Sequence, residues 1–321
     1  MTTEKASLDD LGRPELSVVS PVYGCRGCLE ELVDRVSAAV ESIVVSYEII
    51  LVDDASPDGA WQRISELAES RHYLRGIRLS RNFGQHAAIS AGLEQAAGDV
   101  IVVMDCDLQD VPEEIPKLLA AMEPGMEVVL GSRTDRQDSF FKRLGSRAFY
   151  RFLGWLTESV YDPTSANFGA YSRKVINAIN SMPEGDKFFP LLVRWTGFRS
   201  TLVPVSHGRR TEGQSSYSFR QLLRLAINVA LSFSDKPLRL VVRMGLAFAL
   251  ASLCIVALSV YRYAIGDIAV AGFTSIIASI WLVGGAIVFS TGIVGLYVGK
   301  LHSQAKHRPN FIISEKIDVP E

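Results

Sequence analysis

The most informative stretch of the sequence is Val100-Ile-Val-Val-Met-Asp-Cys-Asp-Leu-Gln-Asp110, in which five apolar residues are followed directly by a segment with three carboxylates. An unbroken apolar run of this length is typical of a strand that is buried on both faces. In parallel α/β sheets, ligands bind beyond the carboxyl ends of the strands. The stretch therefore predicts a buried strand with a polar site at its end.

The same pattern recurs on both sides of this stretch. Short apolar runs predict strands at residues 16–20, 47–52, 74–79 and 127–130, and segments with helical spacing separate them. Regular alternation of this kind indicates an α/β fold with a mostly parallel sheet and helices on both faces. Polar residues follow several of these strands, namely Asp53, Asp54, Arg81, Asn82, Asp105, Asp107 and Arg133. We expect these side chains to gather at one edge of the sheet.

The composition limits the function. The chain has 321 residues, of which 33 are Lys or Arg and 35 are Asp or Glu, and its formal net charge is -2. A charge so close to neutral argues against a nucleic-acid partner, which is usually bound by a basic domain. The apolar share of 48% excludes a disordered chain. Four cysteines (Cys25, Cys28, Cys106 and Cys254) are too few for a disulfide scaffold of this size.

Charge and hydrophobicity divide the chain into two parts. From Lys236 onward there are eight basic and four acidic residues, so this part carries +4 and residues 1–235 carry -6. No charged residue occurs from 244 to 261 or from 268 to 299. Crossing a bilayer takes about 20 apolar residues, and we therefore predict two transmembrane helices, at about 241–263 and 270–298. A pair of buried helices in a soluble protein is the alternative.

Basic residues flank the two apolar runs on their outer sides, at Lys236, Arg239, Lys300 and Lys306. The positive-inside rule then places both outer ends of the hairpin, and the part before it, in the cytoplasm. Residues 1–15 lack the apolar region of a signal peptide. The predicted organisation is a cytoplasmic α/β domain at 1–217, an interfacial amphipathic helix at 218–239, the two spans within 240–300 and a cytoplasmic tail at 301–321. An ordinary core helix is the alternative for the interfacial segment.

Asp105 and Asp107 predict a divalent metal site. Two carboxylates one residue apart at a strand end offer hard oxygen ligands to Mg²⁺ or Mn²⁺ and leave positions for phosphate oxygens. The acidic pair at Asp53 and Asp54 strengthens this interpretation. Asp110 is predicted mainly to cap the helix that begins near Pro112. The sequence contains neither a dinucleotide-binding glycine fingerprint nor a P-loop.

Taken in order, these segments resemble the family 2 glycosyltransferases of GT-A fold. More narrowly, they resemble the polyprenyl-phosphate glycosyltransferases related to dolichyl-phosphate mannose synthase, including bacterial members with a two-helix C-terminal anchor. The segments that carry the resemblance are Ser20–Tyr23, Val52–Ser56, Ser80–Gly84, Asp105–Asp110 and Gly131–Arg133. The resemblance implies a Rossmann-like GT-A domain. It also implies inverting, metal-dependent transfer of a sugar from a nucleotide sugar, first of all a UDP-sugar, to polyprenyl (undecaprenyl) phosphate at the cytoplasmic face of a bacterial inner membrane.

The resemblance also implies roles for individual residues. The nucleotide-sugar site would comprise Pro21, Val22 and Tyr23 at the nucleobase, Asp53 at the uracil or ribose with Asp54 supporting it, and Ser80, Arg81 and Asn82 at the floor. Asp105 and Asp107 would hold Mg²⁺ or Mn²⁺ on the donor diphosphate, and Gln109 would reach the metal or the sugar. The acceptor phosphate would be contacted by Arg133, Lys142, Ser146, Arg209, Arg210, Ser216 and Tyr217, with Ser215 in the same loop.

The chain departs from the family pattern in two places. Asn167 stands where many members have an acid, so that Asp162 is only a displaced candidate for a base. Cys25 and Cys28 form a CxxC motif, which we interpret as a plain loop rather than a zinc or redox site, because no second cysteine pair or nearby histidine accompanies it. Two other functions stay open: a membrane-anchored glycosyltransferase acting on a glycan or another lipid, and a non-catalytic subunit that binds or transports sugar nucleotides. A homo-oligomer formed through the membrane helices is also left open.

Overall fold

The computed structural model describes residues 13–133, 165–183, 187–208, 236–265, 273–306 and 308–318. The chain begins with alternating strands and helices: β1 (Leu16–Val22), α1 (Leu29–Val40), β2 (Tyr47–Asp53), α2 (Ala60–Ser70), β3 (Leu74–Leu79), α3 (Gln85–Gln95) and β4 (Val100–Val103). Then follow α4 (Ile115–Ala120), β5 (Val128–Arg133), β6 (Ser165–Ser172), α5 (Arg173–Asn180), α6 (Phe189–Trp195) and β7 (Ser200–Val205). The last elements are α7 (Lys236–Ala264), α8 (Phe273–Ala305) and β8 (Ile313–Ile317).

The strands form one sheet in the order β7-β5-β6-β4-β1-β2-β3-β8. Its centre, from β4 through β1 and β2 to β3, is parallel. β6 runs antiparallel to both β4 and β5, and β7 is parallel to β5. The α/β class with a mainly parallel sheet is therefore confirmed, with β6 and β8 making the sheet mixed.

Helices cover both faces of this sheet. Every residue of β1 is buried, as expected for a central strand. Val18 lies in the core cluster that contains Leu32 of α1 and Ile64 of α2. Val19 points to the opposite face, because side chains alternate along a strand, and there it lies against Gly92 of α3.

The residues after the long helices add a strand that the sequence analysis does not contain. β8 pairs antiparallel with β3 at the edge of the sheet, with Arg78 opposite Glu315 and Ile77 opposite Lys316. The sheet and residues 308–318 belong to one compact unit, whereas α7 and α8 belong to a second unit. The chain therefore leaves the first unit before α7 and returns to it after α8.

The second unit contains the two long helices, of 29 residues in α7 and 33 residues in α8, which contact each other. Among the described residues, one helix is long and apolar enough to cross a membrane: the segment Leu282–Gly299 of α8, with a mean hydropathy of 1.8 and no part of it buried. α7 covers the first predicted span, but its passage through a membrane remains a prediction. Residues 236–239, predicted at the end of the interfacial helix, begin α7; residues 218–235 lie outside the described part of the chain.

Gly92 allows α3 to pack closely on the sheet, and a substitution at this position tests that packing. A Cβ atom at this position would lie 2.4 Å from Cγ1 of Val19 and 3.1 Å from Cγ2 of Val52. We expect Gly92→Ala to lower the free energy of unfolding by about 1–3 kcal/mol, although alanine has the higher helix propensity. Denaturant unfolding of the purified full chain measures this change. Glu94→Ala, an exposed position on the same helix, is the control, and equal stability of the two variants would contradict the packing.

Candidate active site

The candidate site lies at the carboxyl ends of β1, β2, β3 and β4. These strands are parallel neighbours, so the loops that follow them meet at one edge of the sheet. The loops are also bonded to one another: the Gly24 N–H donates to Oγ of Ser56 at 2.8 Å, and the Asp54 N–H donates to the carbonyl of Val22 at 3.0 Å. The structure thus brings together the residues that follow these four strands.

Asp53 is a fully buried carboxylate at the end of β2. Its Oδ1 accepts a hydrogen bond from the Ser56 N–H at 3.0 Å, whereas its Oδ2 has no hydrogen-bond partner among the described residues. The Nε of Arg78 lies 3.7 Å from that oxygen. Burial raises the pKa of Asp53, although the Ser56 N–H and the Arg78 charge act in the opposite direction. A buried oxygen without a partner is costly, and such groups are concentrated at sites that bind ligands.

Asp54 ties β2 to the loop after β3. Its two carboxylate oxygens accept hydrogen bonds from the N–H groups of Phe83, at 2.7 Å, and Gly84, at 2.8 Å. Burial raises its pKa against the effect of these bonds and of the Arg81 charge. Arg81 and Asn82, in the loop that Asp54 holds, are exposed to solvent. This geometry suits the supporting role that we predicted for Asp54.

Asp105 and Asp107 are half-buried beyond β4, and hydrogen bonds orient each carboxylate. Nε2 of Gln85 donates to Oδ1 of Asp105 at 2.6 Å, and the Gln109 N–H donates to Oδ1 of Asp107 at 3.2 Å. Leu108 has a left-handed backbone with φ of 61°, uncommon for a residue other than glycine and typical of constrained functional loops. The sequence analysis did not predict a role for Gln85. Its position as the first residue of the helix after the Ser80–Gly84 segment could have indicated one.

The capping role predicted for Asp110 is wrong. The helical segment begins at Pro112, and its N-cap Val111 provides no side-chain bond. Oδ2 of Asp110 instead accepts a hydrogen bond from the Asp105 N–H at 3.1 Å. The loop turns so that this buried carboxylate lies next to Asp105, where the loop begins. Asp110 also forms a backbone bridge with His207.

Residues 207–208, after β7, lie against the loop that carries the two aspartates. The Gly208 N–H donates to the Gln109 carbonyl at 2.9 Å. A Cβ atom at Gly208 would lie 2.6 Å from the Leu108 carbonyl oxygen, so this approach requires glycine. His207 and Gly208 are further residues beside the site that the sequence analysis did not single out.

The donor atoms at Asp105 and Asp107 fit a hard divalent cation. Among the described residues, no group of three or more His, Cys, Asp or Glu side chains is arranged to hold a metal. A two-carboxylate site of this kind suits Mg²⁺ or Mn²⁺, which bind through one or two carboxylates together with water and substrate phosphate. It does not suit zinc, which takes three or four protein ligands.

The CxxC segment packs beneath this loop. Cys25, Cys28 and Cys106 are buried, and the thiol of Cys25 donates to the Cys106 carbonyl at 2.9 Å. The neighbouring Cys106 side chain and burial raise the pKa of Cys25, which keeps this thiol protonated. The geometry favours our interpretation of a loop over that of a zinc or redox site.

Comparison with known proteins identifies the family. Residues 17–178 match the model of "Glycosyl transferase family 2". The chain is a family 2 glycosyltransferase. It is 34% identical over 310 residues to undecaprenyl-phosphate 4-deoxy-4-formamido-L-arabinose transferase of Klebsiella pneumoniae, covering 96% of this chain and 95% of that protein. It is 32% identical over 302 residues to an uncharacterized glycosyltransferase of Synechocystis sp., covering 94% and 95% respectively.

A solved structure shows that this glycosyltransferase shares the GT-A fold. The structure is glucosyl-3-phosphoglycerate synthase from Mycobacterium tuberculosis, in complex with Mn²⁺, UDP-glucose and phosphoglyceric acid. It matches with a TM-score of 0.52 and 19% identity, over 70% of this chain and 80% of that chain. The family match and the similarity to the Klebsiella enzyme confirm the predictions of an enzyme and of its family.

Several residues that we assigned to the glycosyltransferase site remain predictions. Pro21 and Val22 are buried in β1, and Tyr23 beyond them is 54% exposed. The backbone of Arg133 ends β5, opposite Val205. The remaining candidates lie outside the described residues: Lys142, Ser146, Asp162, Arg209, Arg210, Ser215, Ser216 and Tyr217.

Asp53 makes the stability of the glycosyltransferase depend on pH. Because burial raises its pKa above the ordinary value of 3.8, the folded state binds this proton more tightly than the unfolded chain does. The free energy of unfolding therefore decreases as the pH rises from the unfolded toward the folded pKa, and Asp53→Asn lacks this contribution.

We expect Asp53→Asn to gain stability relative to the unsubstituted protein as the pH rises from about 4. Denaturant unfolding at a series of pH values measures the difference. Glu69→Gln, an exposed carboxylate on α2, is the control. A stability difference for Asp53→Asn that stays constant with pH would refute the assignment.

Proposed function

We propose that this family 2 glycosyltransferase transfers a sugar from a nucleotide sugar, first of all a UDP-sugar, to the phosphate of a polyprenyl lipid such as undecaprenyl phosphate. The observation that carries the proposal is the similarity to the Klebsiella enzyme, whose name gives undecaprenyl phosphate as its substrate. The match extends over 96% of this chain. It therefore includes the long helices as well as the family 2 domain, which ends at residue 178.

The donor nucleoside binds, in this proposal, between the ends of β1, β2 and β3. Oδ2 of Asp53 is a buried acceptor without a hydrogen-bond partner among the described residues, and it suits an N–H of uracil or a hydroxyl of ribose. Tyr23 offers an exposed aromatic ring after β1. Ser80, Arg81 and Asn82 form the floor, held in place through Asp54.

Asp105 and Asp107 would hold Mg²⁺ or Mn²⁺ on the donor diphosphate. When bound, such a metal neutralises the charge that develops on the departing nucleoside diphosphate. The Gln85 amide orients Asp105, and the Gln109 N–H orients Asp107. In the proposal, the side chain of Gln109 faces the metal or the sugar.

The acceptor phosphate attacks the anomeric carbon as the bond to the diphosphate oxygen breaks. One direct displacement inverts the configuration at that carbon. A strong general base is not required, because the acceptor phosphate is already ionised near neutral pH. Positioning and charge neutralisation then supply much of the rate. We assign the binding and charge neutralisation of the acceptor phosphate to Arg133, Lys142, Ser146, Arg209, Arg210, Ser216 and Tyr217. In the sequence, Arg209 directly follows Gly208, which lies against the Leu108–Gln109 turn.

The lipid acceptor requires a location at the membrane, and the chain connectivity supports a hairpin anchor. β7 and β8 belong to the same sheet, and α7 and α8 lie between them in the sequence. A chain that leaves one side of a membrane and returns to it must cross an even number of times. If α8 is one crossing, α7 supplies the other. We therefore propose a multi-pass protein of the bacterial inner membrane, in which the α/β domain is cytoplasmic, the interfacial helix ends before α7 begins at Lys236, and β8 returns to the cytoplasmic sheet after the second span.

Asp107→Asn tests the reaction and the metal site together. We expect the variant to lose transfer by at least about 100-fold while it folds and enters the membrane normally. The assay incubates purified protein with UDP-sugars, undecaprenyl phosphate and Mg²⁺ or Mn²⁺, and measures the release of UDP. Asp34→Asn, which removes an exposed ion pair with Arg71, is the matched control and retains activity.

The results of that assay distinguish the proposed reaction from the two alternative functions. UDP release that requires both the lipid and the metal supports the proposal. Normal activity of Asp107→Asn overturns the metal assignment. Lipid-independent transfer to a saccharide indicates a glycan-modifying enzyme, and binding of nucleotide sugar without turnover indicates a non-catalytic subunit.

A cysteine substitution tests the hairpin. Residue 267 lies in the predicted connection between the spans, and His302 lies after the second. In intact cells of a bacterial host, we expect a membrane-impermeant thiol reagent to label Asp267→Cys and not His302→Cys, since only the connection faces the periplasm. Both variants carry Cys254→Ser. Labelling of His302→Cys, or failure to label Asp267→Cys while permeabilised cells are labelled, would contradict the topology.

A further inference from the structure

A row of three charged residues crosses the sheet from the candidate donor site to the C-terminal strand. Asp53 of β2 is the register partner of Arg78 of β3, and Arg78 is the register partner of Glu315 of β8. Register partners project from the same face of a sheet. β8, which follows the two long helices in the sequence, is therefore separated from Asp53, a proposed nucleoside contact, by Arg78 alone.

Glu315 holds the guanidinium of Arg78 at the outer end of this row. Oε1 of Glu315 accepts from Nη1 of Arg78 at 2.6 Å, and Oε2 accepts from the indole Nε1 of Trp61 at 3.0 Å. The hydroxyl of Ser314 also donates to the Arg78 carbonyl at 3.1 Å. Both oxygens of Glu315 are thus occupied, and its orientation is set from two sides.

At the inner end of the row, between Arg78 and Asp53, there is no hydrogen bond. Nε of Arg78 lies 3.7 Å from Oδ2 of Asp53, so the two groups form an ion pair without a hydrogen bond. Oδ2 of Asp53 accepts no hydrogen bond within the described part of the chain. Without Glu315, the carboxylate of Asp53 would be the nearest remaining partner of Arg78, because charge-assisted hydrogen bonds are the strongest available to a guanidinium.

We infer that Glu315 is a positioning residue for donor binding: it keeps Arg78 from forming a hydrogen bond with Asp53, so that Oδ2 of Asp53 can accept one from the nucleoside of the donor. The inference rests on the proposed function, since it takes Asp53 as a nucleoside contact. It adds the C-terminal strand to the donor site. The same strand region reaches the floor of that site, where the Ser80 N–H donates to the Ile312 carbonyl at 2.9 Å.

Glu315→Gln is the test, with UDP and Mn²⁺ as the ligand and calorimetry on the full chain as the measurement. The neutral amide holds Arg78 less strongly, so Arg78 moves into hydrogen-bonding distance of Asp53 and competes with the nucleotide. We expect the dissociation constant of UDP to rise about fivefold, the size expected for an exposed ion pair of about 1 kcal/mol. In the transfer assay, KM for the donor rises and kcat is unchanged.

Asp318→Asn is the matched control, because it removes another ion pair of the same chain end. Oδ1 of Asp318 lies 2.9 Å from Nη2 of Arg75, and Arg75 pairs with Glu48 rather than with Asp53. We expect the control to bind UDP as the unsubstituted protein does. A loss of binding in both variants would mean that Glu315 only stabilises the strand.

A double-mutant cycle separates positioning from strand stability. If Glu315 acts through Arg78, then Glu315→Gln has no further effect on UDP binding in an Arg78→Gln background. Unchanged binding of the single variant, or an equal loss in both backgrounds, overturns the inference.

UDP binding to Asp53→Asn distinguishes a failure of the proposed function from a failure of the inference about Glu315. If the unsubstituted protein does not bind UDP, or if Asp53→Asn binds UDP as well as it does, then the nucleoside site itself is wrong. If Asp53→Asn weakens binding and Glu315→Gln does not, then only the role of Glu315 is wrong.

Discussion

The parallel hydrogen bonding of β4, β1, β2 and β3 is the constraint on which the candidate site depends. Their registers bring the carboxyl ends of four strands to one edge, although the residues that follow them are spread from Tyr23 to Asp107 in the sequence. A change of register by one residue would turn each buried side chain to the other face. Apolar residues that are buried on both faces of these strands therefore hold the site in place.

Carboxylates organise the loops at this edge by accepting backbone hydrogen bonds. Asp54 binds the N–H groups of Phe83 and Gly84, and Asp110 binds the N–H of Asp105. Oδ2 of Asp53 has no such partner among the described residues. Of these three buried acids, Asp54 and Asp110 hold loops together, whereas Asp53 has one oxygen that accepts no hydrogen bond within the described residues, and the proposed function assigns that oxygen to the donor nucleoside. Residue type alone does not distinguish these two uses.

The C-terminal strand joins the chain that follows the long helices to the sheet. Because β8 completes the sheet beside β3, the helical segment is a long insertion between strands of one sheet rather than a terminal appendage. This connectivity supports the proposed hairpin. It also brings Glu315 to the row that ends at Asp53. A polar tail that contains only a short alternating segment does not reveal this, since an edge strand with exposed charged residues resembles a loop in its composition.

The amino-acid sequence was sufficient to predict the α/β class, the succession of strands along the chain up to β5, the clustering of acids after them and the apolar segments. These depend on local apolar patterns, which the sequence displays directly. Three features became visible in the folded chain alone: Asp110 closes a loop instead of capping a helix, Gln85 orients Asp105, and residues 313–317 form a strand. The first depends on a turn that brings the Asp110 side chain back to the Asp105 N–H, five positions earlier, and the other two depend on partners that are distant in the sequence. The Gln85–Asp105 bond spans 20 positions, the bond between Arg78 and Glu315 spans 237, and no local pattern encodes a partner at such a distance.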